Sequence, residues 1–178
     1  YDRSSLDLSE EEIKKKIKSG KKPHWRFKLN KEEISWKDLI KGNVSFDSKN
    51  LSDPVLIRED GTLLYHLPSV IDDIQEKITH IIRGEDHIAN TAYHIQIFKA
   101  LGCDSPIFAH HPFLTDDSGK GFSKRMGSLS IANFRNEGFE SITLLNYFLF
   151  IGSSNNIDPI NDLKKIINKF NIKNISKS

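Results

Sequence analysis

The chain has 178 residues, 37% of them hydrophobic and 28% charged, with a formal net charge of +2. Those proportions exclude a disordered polymer, and the longest apolar run, 142–151, is broken by Thr143 and Asn146 and falls far short of the roughly 20 residues that a membrane-spanning helix needs. Cys103 is the only cysteine, so neither an internal disulfide nor a thiolate zinc site can be built from these residues, and a reducing, cytoplasmic setting is expected.

Ser9-Glu-Glu-Glu12 has the form of a capping box, with Ser9 able to accept from the third amide of the next turn while Glu12 reaches back to the cap. It predicts a short helix with a thin apolar stripe of Leu8, Ile13 and Ile17, with lysines at 14, 15, 16 and 18, and with Gly20 as its stop. The lysine run reads first as a solvated face and second as a phosphate-contacting one. His24-Trp-Arg-Phe-Lys-Leu29 alternates with period two, which predicts a half-exposed strand with Trp25, Phe27 and Leu29 on one side and Arg26 and Lys28 on the other. A second short strand is predicted at 42–46. The stretch 55–66 carries two apolar runs around Asp60-Gly61, a pair tolerant of positive φ, and predicts a hairpin whose return strand Tyr65 ends. Asp72-Asp73 reads as a turn and a helix cap rather than a carboxylate pair for Mg²⁺.

Ile78-Thr-His-Ile-Ile82 is rich in β-branched residues and predicts a strand ending at Arg83-Gly84. Glu85 and Asp86 then open a helix over 86–101, with Ile88, Ala92, Ile95 and Leu101 near one face and Gly102 as its stop, and another strand follows at 107–111. This β–α–β order with short connections belongs to a parallel sheet, so Arg83 and the loop after the second strand leave the carboxyl ends of neighbouring strands, where open α/β sheets bind ligands. That loop, Gly119-Lys-Gly-Phe-Ser-Lys-Arg-Met-Gly127, is punctuated by glycines that let backbone approach an anion, and it carries Lys124 as a compact charge and Arg125 as a planar fork. It lacks the spacing of a Walker loop. Beyond it, Ser130 predicts the cap of a short helix ending at Gly138, 141–151 is apolar nearly all round and predicts a buried helix, and 162–170 predicts a last helix with Leu163, Ile166, Ile167 and Phe170 on one face.

Tyr65, Arg83 and Lys124 stand out because this topology puts each near the ligand-binding edge. Arg83 can pair bidentately with a carboxylate, Tyr65 can donate a hydroxyl hydrogen bond to the same group, and Lys124 can offset charge on departing phosphate oxygens. Each has a plainer reading, as packing for Tyr65, as an ion pair with Glu85 or Asp86 for Arg83, and as a solvated charge for Lys124. Seven histidines raise a metal site, but His87 and His94 are two helical turns apart and His110-His111 point to opposite faces of a strand, so packing and hydrogen bonding are expected and no protein-bound metal.

Five segments, in order, resemble the bacterial glutamyl-tRNA synthetases, which are class I aminoacyl-tRNA synthetases. They are Lys22-Pro-His-Trp-Arg-Phe-Lys28, Leu51-Ser-Asp-Pro-Val-Leu-Ile-Arg-Glu-Asp-Gly61, Tyr65-His-Leu-Pro-Ser-Val-Ile-Asp-Asp73, Ile78-Thr-His-Ile-Ile-Arg-Gly-Glu-Asp-His87 and Gly121-Phe-Ser-Lys-Arg125. The last resembles the K-M-S-K-S signature, with Gly121 in place of the first lysine, Arg125 in place of the final serine, and only the second lysine, Lys124, retained. The resemblance implies ATP-dependent activation of L-glutamate to glutamyl-adenylate and transfer to the 3′ end of tRNA(Glu), with ATP as its Mg²⁺ complex, in a monomer without a membrane partner. It also implies that Tyr65, Ser69 and Arg83 bind glutamate, that His87 lies near the adenine, that Gly121, Phe122, Ser123, Lys124 and Arg125 form the ATP loop, and that Lys124 is the catalytic cation. A guanidinium at 83 favours glutamate over glutamine, since its donors would stand unpaired against a neutral amide.

The fold this implies is α/β: the second half of a Rossmann-like parallel-sheet nucleotide-binding domain at 65–119, flanked by part of an α+β acceptor-binding insertion at 1–64 and followed at 120–178 by the ATP loop and the start of an α-helical domain. In the insertion, Arg26, Lys28 and the early lysines are expected to meet RNA phosphates. Nothing in the chain matches the family's H-I-G-H signature, and Tyr1 follows no starting methionine, so the chain reads as an internal excerpt that by itself makes no glutamyl-adenylate. Two alternatives stay open. One is a truncated tRNA-binding protein without catalysis; the other is a relative that glutamylates a modified tRNA base or uses glutamine.

Overall fold

The computed structural model of the chain describes residues 1–114, 130–153 and 156–177. Helix α1 (Glu10–Lys18) begins with the full capping box, the Ser9 hydroxyl accepting from the Glu12 amide at 3.3 Å and the Glu12 carboxylate accepting from the Ser9 amide at 2.8 Å. Acidic residues in its first turn and lysines in its last complement the helix dipole. None of its residues is buried, so the helix stands on local interactions alone and its lysines face solvent. The strand expected at 24–29 is only β1 (Trp25–Arg26), antiparallel to β4 (Val55–Ile57) with a register slip between Trp25 and Arg26. The slip defeats the simple alternation: Trp25 is 64% exposed while Leu29 is buried. Leu29 is held by Asp53, whose carboxylate accepts from the Leu29 amide at 3.1 Å and from Arg3 at 2.7 and 2.8 Å. Arg26, expected to meet phosphate, donates to the Asp53 carbonyl at 2.6 Å and lies over the Tyr1 ring.

The expected hairpin is half right. Gly61, at φ 87°, turns the chain, and Arg58 donates to the Thr62 carbonyl at 2.9 Å, but the return strand is reduced to the single bridge between Ile57 and Leu63. Tyr65 does not end a strand; it is the N-terminal flank of α2 (His66–Gln75), and Asp72 and Asp73 lie inside that helix rather than capping one. The helical period of Leu67, Val70 and Ile74 outweighs the turn chemistry of the aspartates, because Val70 and Ile74 pack with Ile97 and Phe98.

The central sheet is mixed: its 78–111 part is parallel, as expected, and an antiparallel pair from the first 64 residues extends it. Its order is β3-β2-β6-β5, where β2 (Glu33–Asp38) and β3 (Gly42–Asp47) are antiparallel, while β6 (Ile107–His111) runs parallel both to β2 and to β5 (His80–Gly84). The crossover between β5 and β6 passes through one turn of 3₁₀ helix, Glu85–His87, and α3 (Ile88–Ala100), as the strand–helix–strand grammar required. Helix α3 is buried on more than one face, with Thr91, Ala92, His94, Gln96, Ile97 and Phe98 all enclosed and Leu101 outside. Helices α4 (Ile131–Asn136), α5 (Ser141–Phe150) and α6 (Leu163–Lys169) follow. Helix α5 is not the buried helix its composition predicts: only Leu149 and Phe150 are enclosed, with Ile160 and Ile166, while Leu145, Tyr147 and Phe148 are exposed. On α6, Ile166 alone is buried, and Leu163, Ile167 and Phe170 are exposed.

Candidate functional site

Arg83 is the second-last residue of β5 and pairs with His110 of β6, so its side chain starts from the carboxyl edge of the parallel pair. Three groups hold its guanidinium. Nη1 donates to the Tyr65 hydroxyl at 3.0 Å, Nη2 to the Thr91 hydroxyl at 2.6 Å, and Nε to His110 Nε2 at 3.4 Å. An arginine has five N–H donors, so one on each terminal nitrogen remains beyond these bonds, the pair that a carboxylate takes bidentately. Burial pulls the Arg83 pKa down, opposed by Tyr65, Asp73 and Asp86, and the group stays cationic. The expected ion pair with Glu85 is absent, since Glu85 is bonded to Lys41 at 2.6 Å.

Tyr65 accepts from Arg83 and keeps its own hydrogen to donate. His87 Nδ1 is 3.4 Å from the Tyr65 hydroxyl and 3.0 Å from Asn90 Nδ2, whose N–H occupies the ring's lone pair. Ser69 is one turn further along α2, its amide donating to the Tyr65 carbonyl at 3.2 Å, and among the described residues no hydrogen bond joins its side chain to Arg83. Thus Tyr65, Arg83 and His87 converge, and Ser69 is tied to them only through the Tyr65 backbone. Gly121, Phe122, Ser123, Lys124 and Arg125 lie outside the described residues.

Behind Arg83 stands a set that sequence reasoning missed. Asp38 ends β2, His110 is on β6, and both side chains are fully enclosed. Asp38 Oδ1 accepts from the amides of Ile40, Lys41 and His110 at 3.0, 3.0 and 3.1 Å, and Oδ2 is 2.6 Å from His110 Nδ1. Burial pushes the Asp38 carboxyl up, but these hydrogen bonds outweigh it and its pKa lies below the usual carboxylate value. Burial pushes His110 down and Asp38 only partly restores it, so the imidazole is neutral at pH 7. The one available signal was the alternation Ile34, Trp36, Asp38, whose inner face ends on a carboxylate. A second pair lies under Tyr65, where His66 Nδ1 and His94 Nε2 are 3.2 Å apart. Burial, helped by Arg83, depresses the His94 pKa to about 3 and lowers that of His66.

A groove of about 460 Å³ runs past Tyr65 and His66 to Arg26, Asp53 and Tyr93. A larger, apolar one of about 600 Å³, lined by Phe113, Phe134, Phe139, Tyr147 and Phe148, includes neither Arg83 nor Tyr65. Among the described residues no group of three or more His, Cys, Asp or Glu side chains is arranged to hold a metal ion, and no helix is long and apolar enough to cross a membrane.

The family model described as tRNA synthetases class I (E and Q), catalytic domain, matches residues 1–178. The chain belongs to the class I tRNA synthetases. Within that family it is 48% identical over 180 residues to glutamate–tRNA ligase 2 of Beijerinckia indica, and 50% identical over 179 residues to glutamate–tRNA ligase 1 of Rickettsia typhi. Both alignments take in the whole chain and 40% of the relative, so the chain spans about two fifths of the length of the curated synthetases it matches. A crystal structure of a glutamate tRNA ligase from Elizabethkingia meningosepticum in complex with its amino acid superposes with a TM-score of 0.84 at 31% identity, covering 98% of this chain and 39% of that one.

Proposed function

We propose that the polypeptide carrying this chain is a glutamate–tRNA ligase, which activates L-glutamate with ATP and transfers it to the 3′ end of tRNA(Glu). The observation that carries this reading is the Arg83 guanidinium, held from three sides at the carboxyl edge of the β5–β6 pair with one N–H left on each terminal nitrogen. Such a group takes the side-chain carboxylate of glutamate as a bidentate ion pair. The Tyr65 hydroxyl supplies a further hydrogen, Ser69 lines the pocket wall, and His87 faces the adenosine side. Against glutamine, one guanidinium donor would meet an amide N–H instead of an oxygen, which costs far more than the gain from any single neutral hydrogen bond.

Lys124, with Gly121, Phe122, Ser123 and Arg125, is assigned to ATP. Its ammonium offsets the charge that gathers on pyrophosphate as the glutamate carboxylate attacks the α-phosphorus, an electrostatic role that needs no proton transfer. ATP enters as its Mg²⁺ complex, as substrate. In the same reading residues 1–64 belong to the acceptor-arm insertion, 65–119 to the nucleotide-binding half-domain and 120–178 to the ATP loop and the start of the helical domain. Exposed Lys28 and the α1 lysines then meet tRNA phosphates in the cytoplasm.

The test is glutamate-dependent ATP–pyrophosphate exchange by the polypeptide made from its complete reading frame. Arg83→Lys keeps the charge and loses the fork, and is expected to raise the KM for glutamate by about 100-fold with the KM for ATP unchanged. Exchange driven equally well by glutamine, or a glutamate KM indifferent to Arg83→Lys, sinks the assignment.

A further inference from the structure

Hydrogen counting across the β2–β6–β5 strands fixes more than the sequence resemblance does. Asp38 Oδ1 accepts from three backbone amides, and these hydrogen bonds hold the carboxyl pKa below its usual value, so the carboxylate is ionised, Oδ2 accepts, and the hydrogen between Oδ2 and His110 Nδ1 resides on the ring. A neutral imidazole with its hydrogen on Nδ1 carries a lone pair on Nε2. That nitrogen faces the Thr91 hydroxyl at 2.9 Å and the Arg83 Nε at 3.4 Å, and an arginine Nε–H can do nothing but donate. The other tautomer would set N–H against N–H.

We propose that Asp38 and His110 are positioning residues that act through Arg83: Asp38 holds His110 with its Nε2 lone pair turned toward Arg83, and this lone pair, with Thr91, fixes the plane in which the guanidinium meets a carboxylate. The inference rests on the reading of Arg83 as the carboxylate receptor. It explains why an aspartate and a histidine 72 positions apart are both enclosed completely in a sheet otherwise filled by Phe108 and Ala109. It also gives Thr91 a defined part, accepting from Arg83 Nη2 while its own hydrogen goes to His110 Nε2 or to the His87 carbonyl at 3.2 Å.

Asp38→Asn is the discriminating variant, being isosteric. The three backbone amides require its carbonyl oxygen at the Oδ1 position, so its NH₂ is turned to His110 Nδ1, which must then accept; the ring hydrogen moves to Nε2 and points at the Arg83 Nε–H. In the polypeptide from the complete reading frame, the glutamate KM is expected to rise roughly 10- to 100-fold with the ATP KM and thermal midpoint little changed, and ¹⁵N-histidine NMR is expected to show His110 switching tautomer. Adding His110→Gln to Asp38→Asn puts an amide oxygen near the Nε2 position without any need for Asp38, and is expected to recover most of the glutamate KM. A switched tautomer with an unchanged glutamate KM overturns the proposal. So does a wild-type spectrum at pH 7 in which His110 carries its hydrogen on Nε2 or on both nitrogens, a measurement that needs no folded variant. Failure of the carboxylate reading shows separately, as a glutamate KM indifferent to Arg83→Lys.

Discussion

Tyr65 separates two contributions that a single side chain usually mixes. The residue is 45% exposed and its hydroxyl accepts from Arg83, so Tyr65→Phe removes that hydrogen bond, and on the proposed reading the one to glutamate, while leaving the packing in place. The expected loss is about 0.5–1.5 kcal/mol, roughly 2- to 13-fold in the glutamate KM, with a thermal midpoint close to the parent's. An unchanged KM, or a large fall in midpoint, contradicts that division. Arg83 was legible because strand, turn and helix signals flank it in the chain, whereas Tyr65 was singled out as the end of a hairpin strand and stands instead at the start of a helix. Asp38, Thr91 and His110 were not legible, since their meaning depends on β2 lying beside β6, a pairing that no local pattern announces. Reading His110 and His111 as alternating strand residues set them on opposite faces but could not say that His110 would meet a carboxylate.

Among the elements, the 58–62 turn offers a clean case. Gly61 has φ 87°, and a Cβ built there meets nothing within 4 Å. Gly61→Ala therefore carries backbone strain and no clash, an expected destabilisation of about 1 kcal/mol that thermal or denaturant unfolding would read. A neutral result would mean that the turn relaxes freely, as a lone bridge beyond it allows. The turn was readable from Asp60-Gly61, whereas the loss of its return strand was not, because the next ten residues gain more by burying Val70 against α3 as a helix than by pairing with β4. Helix α5 failed the other way: its composition fixes a helix, but how much of it is covered depends on neighbours, and among the described residues these reach only one end.

Acid sensitivity belongs to the whole molecule. Burial holds His66, His94 and His110 neutral, with folded-state pKa values below the ordinary 6.5 and that of His94 about 3. The unfolded chain therefore binds more protons than the folded one between those limits, so stability rises with pH there and is lost as pH falls from about 6.5 toward 3. The thermal midpoint is expected to drop steeply between pH 6.5 and pH 5. His94→Gln removes one of these groups and should make the slope shallower by about one proton, or roughly 1.4 kcal/mol per pH unit. An equally steep profile in that variant would show that His94 is not held neutral by burial.

From its residues alone, the chain determined which stretches are helices and strands around the β5–α3–β6 crossover, where Arg83 sits, and which family it resembles, because caps, periodicity and short motifs are encoded within a few positions of one another. Tertiary structure alone decided that the sheet is mixed, that Asp38 and His110 stand behind Arg83, and that among the described residues the aromatic face of α5 is left open. Those outcomes depend on pairings between residues far apart in the chain, and such pairings are chosen by the burial and hydrogen-bond satisfaction of all the partners together.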